Sequence, residues 1–507
     1  MSRRTRLSSA AALLPAMLLG ACAVGPNYHR PTIQADAQQP FMESHGSPML
    51  SGAALPANWW EMFQDPVLNR LIQDAFTYNT DIRQAVGNLR RARGALAEAR
   101  AGRLPTTDLS ASYARERVGA ATAQGQGIPG AGAAGGPSHV DFDYYQLGFD
   151  ASYEVDVFGR VTRSVQAAHR DAQAAIAALD GARISIAAQV AQSYAEACGF
   201  AAQADVARET ARLEGNTRDL TQRLLDSGRG TRRDVDQADV LVEQANAQVP
   251  QLEGERRAQL YALAALTGRP PAELDVAAAQ CRAVPKVATV IPVGDGATLL
   301  ARRPDVRQAE RTLAADTARI GIATSQLFPS VTLLGTATLG APHIGTVGKA
   351  KSFSYSLGPL ISWTFPNIAV AAAQIREARG QADASLAAFQ GTVLTALKET
   401  EQALARYASS LDQNAALARA SQAADDAAKL ARIRFDTGRD SFLDLLVAEQ
   451  NRAAARQALA QSDTGVADAQ VSLFKALGGG WENAPPALSS PPPSSVGSTQ
   501  DVSQRSN

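Results

Sequence analysis

The chain carries one structural plan twice, and this internal repeat limits its fold more than any other feature of the sequence. The residues DIRQA at 81–85 return as DVRQA at 305–309, an offset of 224 positions. Farther along, DSGR at 226–229 returns as DTGR at 436–439, an offset of 210 positions. The first copy is therefore longer by 14 residues (224 minus 210), and the Gly-, Ala- and Pro-rich stretch 119–137 is predicted to be the loop that holds them.

Each copy contains a long tract without proline, over 138–249 and over 367–484. In the first tract, apolar residues recur at steps of three, four or seven from Val165 to Ala197, which is the period of one helix face. A helix from about Arg160 to Asp226 would be roughly 100 Å long. Because many residues of the apolar stripe are alanines, such helices can approach closely, and we expect an array of long antiparallel helices.

The chain is expected to reverse at Gly228 and Gly438, since glycine accepts the left-handed conformation that ends helices. Thr231 and Ser441, each three residues later, are the predicted N-caps of the returning helices. From the helical pattern alone, a solitary coiled-coil stalk is an alternative to a packed array.

Each copy also places two segments of alternating apolar and polar residues between a short helix and the long helices. The longer segments run from Leu147 to Val157 and from Phe353 to Phe365, and shorter ones begin at Leu109 and Val331. Period-two alternation predicts strands with one apolar and one polar face. It fits the lipid-facing strands of an outer-membrane barrel and the half-buried strands of a soluble sheet alike.

The N-terminus has the three parts of a secretory signal: arginines within the first six residues, an apolar run from Leu7 to Leu19, and small residues before Cys22. The residues LGAC at 19–22 resemble the lipobox of bacterial lipoproteins, where cleavage before the cysteine leaves a thiol for lipidation. Cys22 is thus the predicted first mature residue and the site of a covalent lipid such as palmitate. Ala23, rather than Asp, indicates sorting to the outer membrane.

No later run of 18 or more apolar residues occurs, so passage through a membrane would have to use strands. Four strands cannot close a barrel, and open edges are not tolerated in lipid. Two copies would supply eight strands around a filled interior, whereas three copies would supply twelve strands and leave room for water. The lipoprotein signal favours the barrel, and we expect three copies.

The sequence offers no sign of catalysis or of a cofactor other than the lipid on Cys22. Lys plus Arg and Asp plus Glu both number 49, which gives no charge bias toward nucleic acid. The five histidines form no short-spaced ligand pair, so no metal site is predicted. A glycine match at 125–130 lies in the low-complexity loop and lacks the helix that a phosphate cradle needs. Cys198 and Cys281 are expected to be free thiols.

Four stretches carry a specific resemblance, namely CAVGPNYHRP at 22–31, WWEMFQDPVL at 59–68, YEVDVFGR at 153–160 and RRPDVR at 302–307. They resemble the TolC outer-membrane factor family, in its NodT/OprM-like lipoprotein branch that serves resistance-nodulation-division efflux pumps. The resemblance extends from Cys22 to about Gly480. It implies a mainly α-helical homotrimer with four strands per chain in a twelve-stranded transmembrane β-barrel, a long helical barrel in the periplasm, and a mixed collar.

The function implied is the outer-membrane channel of a tripartite efflux system, a passive conduit that exports small toxic compounds. The implied partners are a periplasmic adaptor protein, an inner-membrane transporter of the resistance-nodulation-division type and outer-membrane lipid, and the chain is not expected to be an enzyme. The alternatives are a structural coiled-coil lipoprotein that spans the envelope and a channel for type I protein secretion.

The resemblance also implies a periplasmic gate at the two helix reversals, with an adaptor contact at their tips. The family's gate arginine falls on Asp440 here, so the pairing is altered, and Arg232, Arg233 or Arg439 are the candidates to compensate. Three copies of an inward aspartate would bring carboxylates onto one axis. The predicted gate residues are Asp234, Phe435, Arg439, Asp440 and Asp444, and the predicted tips are Gly228, Thr231, Gly438 and Ser441.

The chain is accordingly divided into six parts. Residues 1–21 are a signal peptide, 22–58 a lipidated extended segment, 59–270 the first repeat with strands at about 107–157, 271–298 a linker in the collar, 299–480 the second repeat with strands at about 330–365, and 481–507 a disordered tail.

Overall fold

A computed structural model describes residues 23–44, 48–119, 122, 138–365 and 368–486. The predicted signal peptide, Cys22 and nearly all of the predicted tail lie outside the described residues. The helices are α1 (Pro66–Tyr78), α2 (Thr80–Ala101), α3 (Arg160–Asp226), α4 (Arg232–Leu266), α5 (Val276–Ala279), α6 (Gly296–Arg302), α7 (Pro304–Ser325), α8 (Ile368–Asp436) and α9 (Phe442–Leu477). The strands are β1 (Leu50–Ser51), β2 (Thr106–Gly119), β3 (His139–Val155), β4 (Ile291–Pro292), β5 (Ser330–Ala341) and β6 (Phe353–Ser362). Short 3-10 helices span Ala35–Gln38, Met42–Ser44, Trp59–Phe63, Pro271–Glu273, Ile344–Thr346 and Ala350–Ser352.

The order of elements repeats once, as the sequence predicts. The first copy runs through α2, the strands β2 and β3, and the long helices α3 and α4. The second copy runs through α7, the strands β5 and β6, and the long helices α8 and α9. Helix α3 has 67 residues and α8 has 69, so the two longest helices occupy the same place in each copy.

Contacts within the chain define two units. Among the described residues, one unit comprises 23–30 together with Arg91–Ala172 and Arg311–Ala387. It contains an antiparallel sheet in the order β2-β3-β5-β6, so the strand pair of the first copy lies beside that of the second. The pairing of β3 with β5 extends from Tyr145 opposite Ala341 to Val155 opposite Val331.

The other unit comprises the described residues of Pro31–Arg90, Gln173–Glu310 and 388–486. Its largest apolar core centres on Trp59, which stacks on Phe474 with 4.9 Å between ring centroids. Helix α1 begins beside this core because Asp65 caps it, accepting hydrogen bonds from the amides of Val67 and Leu68, and because Pro66 occupies the first helical position. The parallel pair β1 and β4 ties the N-terminal segment to the linker between the repeats.

Helix α3 contains an 18-residue window long and apolar enough to cross a membrane by length and composition. Half of that window is buried within the protein, as expected of a core helix. Its buried residues include Val190, Tyr194 and Ala201, which continue the apolar stripe seen in the sequence.

The structure corrects the expectation of free thiols. Cys198 in α3 and Cys281, just after α5, form a disulfide with 5.1 Å between their Cα atoms. The two residues are 83 positions apart, and the fold of the linker brings them together. An intact disulfide matches a chain that is exported to an oxidising compartment.

The second alternating segment is shorter than its pattern suggests. Strand β6 ends at Ser362, so Trp363 and Phe365 lie beyond its ladder. Pro359 pairs opposite Leu333 within β6, an edge strand of the sheet, which is where proline is tolerated.

Candidate functional site

The four-stranded sheet separates apolar from polar side chains by face. Directly opposed residues of antiparallel strands share a face, so the register defines rows of side chains across the sheet. One row on the first face is Leu109, Phe149, Ala337 and Tyr355, and the adjacent row on the opposite face is Asp108, Asp150, Thr336 and Ser356.

No described part of the chain covers the apolar face. Leu357 is 79 % exposed and Tyr355 is 76 % exposed, and Leu109 and Ile361 on the same face are also mostly exposed. A contiguous apolar surface of this kind marks contact with a membrane or another protein. The opposite face is exposed as well and is mostly polar, although Leu334 and Leu360 lie on it. The sheet therefore has the form of a wall between an apolar medium and water.

The apolar face ends in aromatic and then charged residues toward the β2-β3 hairpin. Tyr113 and Tyr145 lie opposite each other, with 4.9 Å between their ring centroids. Two positions beyond Arg115, Arg117 donates two hydrogen bonds of 2.6 and 2.8 Å to the carboxylate of Asp141. This sequence of apolar, aromatic and ionic rows is typical of a strand that leaves hydrocarbon for water.

In the described part of the chain, the two edge strands of the sheet have no pairing partner on their outer sides. Strand β2 pairs only with β3, and strand β6 pairs only with β5. Each outer edge therefore presents a row of backbone amides and carbonyls over 14 residues of β2 and 10 residues of β6. An edge of that length is a template for pairing with another chain.

The two helix reversals have the same geometry. Gly228 has φ +72° and Gly438 has φ +71°, the left-handed conformation that ends a helix. In each turn the amide of the following arginine donates back to a carbonyl of the last helical turn, Arg229 to Leu224 and Arg439 to Arg434, both at 2.8 Å. The predicted reversal at both glycines is therefore confirmed.

The predicted N-caps are also confirmed, and they engage two of the predicted gate residues. Thr231 caps α4 in a capping box with Asp234, whose carboxylate accepts hydrogen bonds from the amide and hydroxyl of Thr231. Ser441 and Asp444 do the same at the start of α9. These hydrogen bonds from Ser441 hold the pKa of Asp444 below its ordinary value.

Three other predicted gate residues lie at the second turn. Asp440 accepts hydrogen bonds of 2.8 and 2.9 Å from the guanidinium of Arg434, and Phe435 meets Phe442 edge to face with 6.0 Å between ring centroids. Arg439 is exposed. The carboxylate raises the pKa of Arg434 through this hydrogen bond.

The partner of Asp440 is thus Arg434, which sequence reasoning missed. Arg232, one of the proposed substitutes, pairs instead with Asp236 on its own helix. Arg434 precedes Asp440 by six residues, and only the tight turn at Gly438 brings the two side chains together. The spacing becomes informative once the turn type is known.

A second feature missed from the sequence is a buried carboxylate pair among the long helices. Glu214 on α3 is 2 % exposed and Glu449 on α9 is 4 % exposed. Burial, aided by the charge of Glu449, raises the pKa of Glu214 to about 7, although Arg452 and Arg432 partly oppose this effect. Glu214 also lines a cavity of about 370 Å³ together with glutamines such as Gln244 and Gln457.

Comparisons with known proteins match this architecture along nearly the whole chain. The family model described as outer membrane efflux protein matches residues 71–269 and 297–479. The outer membrane protein OprJ of Pseudomonas aeruginosa is 30% identical over 93% of this chain and 95% of its own length. Nodulation protein T of Rhizobium leguminosarum bv. viciae is 29% identical over 95% of each chain.

Solved structures agree with these sequence relatives. The outer-membrane channel OprN superposes with a TM-score of 0.83 at 33% identity, covering 91% of this chain and all of that one. The open state of the MtrE outer membrane channel of Neisseria gonorrhoeae gives a TM-score of 0.77 at 27% identity, covering 91% of this chain and 99% of that one. The described fold is therefore that of the TolC-like outer-membrane channels.

Proposed function

The chain belongs to the outer membrane efflux protein family, and from this premise we propose that three copies assemble into one twelve-stranded barrel continued by a tube of long helices. The observation that carries the proposal is the sheet, which has an exposed apolar face, a polar opposite face and two open edges. Open edges cannot persist in lipid, so β2 of one copy must pair with β6 of the next. Twelve strands leave an aqueous lumen, whereas eight would be filled by side chains.

The assembly serves as an outer-membrane efflux channel. We propose that it works as a passive conduit whose driving energy comes from an inner-membrane transporter of the resistance-nodulation-division type, joined through a periplasmic adaptor protein. Support comes from relatives that are named as outer membrane proteins of efflux pumps, among them the toluene efflux protein TtgC of Pseudomonas putida. Small toxic compounds are the proposed cargo, and adaptor contact is proposed at the tips formed by Gly228, Thr231, Gly438 and Ser441.

Lipid attachment at Cys22 is also proposed. The cysteine ends a signal-like N-terminus within the residues LGAC, and cleavage before it would make it the first residue of the mature chain. Mass spectrometry of the N-terminal peptide would detect the added acyl chains. A mature protein that begins at another residue, or carries an unmodified Cys22, would remove this part of the proposal.

Cysteine cross-linking between edge strands tests the trimer. Ser110 on β2 and Ser356 on β6 lie on the polar face, so the double variant Ser110→Cys and Ser356→Cys should form disulfides between neighbouring copies. Neighbouring serines Ser354 and Ser362 serve as alternative β6 positions because the register between copies is not fixed by one chain. The expected product is a ladder that ends at three chains, and Ser409→Cys on the exposed surface of α8 should give none.

The ladder separates the competing arrangements. A ladder that ends at two chains would indicate an eight-stranded barrel, and no cross-linked product at any β6 position would contradict edge pairing altogether. A coiled-coil lipoprotein without a barrel would also give no conductance in planar bilayers, whereas the proposed channel conducts ions.

The gate is proposed at the turn between α8 and α9. Phe435 and Asp440 are proposed to narrow the tube, with Arg434 as the partner of Asp440, and Arg439 adds a charge beside them. Asp234 and Asp444 are proposed to contribute through the caps that hold α4 and α9 in place. Symmetry would bring three Asp440 carboxylates near one axis, where pairing with Arg434 limits their repulsion.

A further inference from the structure

The first described residues of the chain are held by a single buried side chain. Arg163, in the first turn of α3, is 4 % exposed. Its guanidinium donates hydrogen bonds to three successive backbone carbonyls and to two side-chain amides. The acceptors are the carbonyl oxygens of Ala23 at 3.3 Å, Val24 at 3.1 Å and Gly25 at 3.1 Å, with Oδ1 of Asn27 at 3.0 Å and Oε1 of Gln166 at 2.9 Å.

Acceptors surround all three nitrogen atoms of the guanidinium. Nε donates to the carbonyl of Val24 and Nη1 donates to Gln166, while the two N–H groups of Nη2 are shared among the oxygens of Ala23, Gly25 and Asn27. A buried cation is costly unless its donors are satisfied, so the N-terminal segment supplies most of what makes burial of Arg163 tolerable. The segment and the guanidinium therefore stabilise each other.

The backbone around the segment is shaped to admit it. Gly25 has φ +88°, and a Cβ atom there would lie 2.6 Å from the Cα atom of Gly321 in α7. A Cβ atom at Gly321 would in turn lie 2.8 Å from Cγ of Arg163. The amide of Val24 donates to the carbonyl of Phe158 at 3.2 Å, which binds the segment to the junction between β3 and α3.

We propose that Arg163 is the binding site for the mature N-terminus and fixes the position of the lipid attachment point. Cys22 directly precedes Ala23 in the sequence, and consecutive Cα atoms are about 3.8 Å apart, so holding Ala23 would restrict where a lipid on Cys22 can be placed. The acyl chains would then emerge beside the junction of β3 and α3, next to the end of the apolar sheet face. The placement of the lipid rests on the proposed lipidation of Cys22, whereas the binding of the N-terminal segment by Arg163 does not.

Hydrogen–deuterium exchange of the full chain in detergent micelles tests the binding. In Arg163→Ala, the amide of Val24 should exchange at least about tenfold faster, the change expected from loss of a single charge-assisted hydrogen bond. Arg163→Lys should rescue little, because one ammonium cannot reach several acceptors in a fork. Arg160→Ala is the matched control, since Arg160 pairs with Glu154 at the surface and should leave exchange of the segment unchanged.

A second pair of variants covers the case in which Arg163→Ala does not fold. Gly321→Ala should displace the segment and speed its exchange, whereas Gly380→Ala, a helical glycine with open space at its Cβ position, should not. Equal exchange in the wild type and in both Arg163→Ala and Gly321→Ala would overturn the proposal.

Mass spectrometry of the same samples separates this inference from the lipidation on which part of it rests. The lipid mass on Cys22 should be the same in the wild type and in Arg163→Ala. A protected segment without lipid would refute lipidation and leave the binding intact. A lipidated segment that exchanges freely in the wild type would refute the binding alone.

Discussion

Replacing Glu214 by glutamine should stabilise the protein at alkaline pH and leave its stability at acidic pH unchanged. Burial raises the pKa of this carboxyl from 4.5 to about 7 in the folded chain, whereas the unfolded chain has the ordinary value. A raised folded pKa means that the folded state keeps the proton longer. The stability that this carboxyl contributes is therefore fully present below about pH 4.5 and is lost as the pH rises through 7.

The size of the effect follows from the shift. A rise from 4.5 to about 7 corresponds to a cost of about 3 kcal/mol once the carboxyl is ionised. Solvent that enters the adjoining cavity would screen the charge, so we expect about 1 to 2 kcal/mol in practice. Glutamine has nearly the same shape and no charge, so Glu214→Gln removes this cost without leaving a void.

The assay is the urea midpoint of the helical circular dichroism signal, recorded in detergent at pH 5 and pH 8. Glu214→Gln should match the wild type more closely at pH 5 and exceed it at pH 8. Glu209→Gln is the control on the same helix, because Glu209 is paired with Arg212 at the surface and its pKa is lowered through this hydrogen bond. Equal destabilisation by Glu214→Gln at both pH values would refute the reasoning, since it would mean that packing or hydrogen bonding outweighs the charge.

Three further outcomes follow from the fold. Leu357→Arg should lower the free energy of unfolding by about 2 to 4 kcal/mol and reduce the yield of folded protein in outer-membrane fractions. Ser356→Arg, on the opposite face, should be tolerated, and equal yields of the two variants would contradict the assigned lipid face. Replacing Cys198 and Cys281 together by serine should lower the free energy of unfolding by about 2 to 4 kcal/mol, measured by denaturant unfolding against the wild type under oxidising conditions. Gly438→Ala should lower the free energy of unfolding by about 1 kcal/mol and reduce the melting temperature, because the positive φ of the turn is unfavourable for alanine.

The regular parts of the fold follow directly from the sequence because their patterns are long. The predicted helix from Arg160 to Asp226 has the bounds of α3, since a proline-free amphipathic tract of that length leaves no other period to follow. The turns at Gly228 and Gly438 were equally readable, because each combines a glycine with an N-cap residue three positions later. The internal repeat predicts that each copy has a strand pair at the same place in its order of elements.

The features that the sequence did not predict depend on contacts between segments that are far apart along the chain and are brought together by the fold. The disulfide between Cys198 and Cys281 forms because the linker folds back on α3, and spacing along the chain carries no sign of that. The sequence around Glu214 does not indicate a buried carboxyl, because its burial is set by the neighbouring long helices. The role of Arg163 needs the N-terminal segment to return to the start of α3, which depends on the conformation at Gly25.

Comparison of the two copies separates the interactions found at both helix reversals from those found at only one of them. The capping box recurs at both reversals, because Asp234 and Asp444 are related by the offset of 210. The primary role of these two carboxylates is therefore to cap α4 and α9. Asp440, by contrast, corresponds to Gly230, a residue with no side chain to pair.

The ion pair of Asp440 with Arg434 is thus an addition to a turn that already forms without it in the first copy. Asp440→Gly, which restores the first copy's residue, should keep the turn and remove the charge. We therefore expect it to raise ion conductance in planar bilayers, and Asp426→Ala, which breaks an exposed pair with Lys429 on α8, should not. If Asp440→Gly and the wild type conduct equally, the charge of Asp440 does not hold the tube closed, and the aromatic contact of Phe435 with Phe442 would be the remaining constriction at this turn.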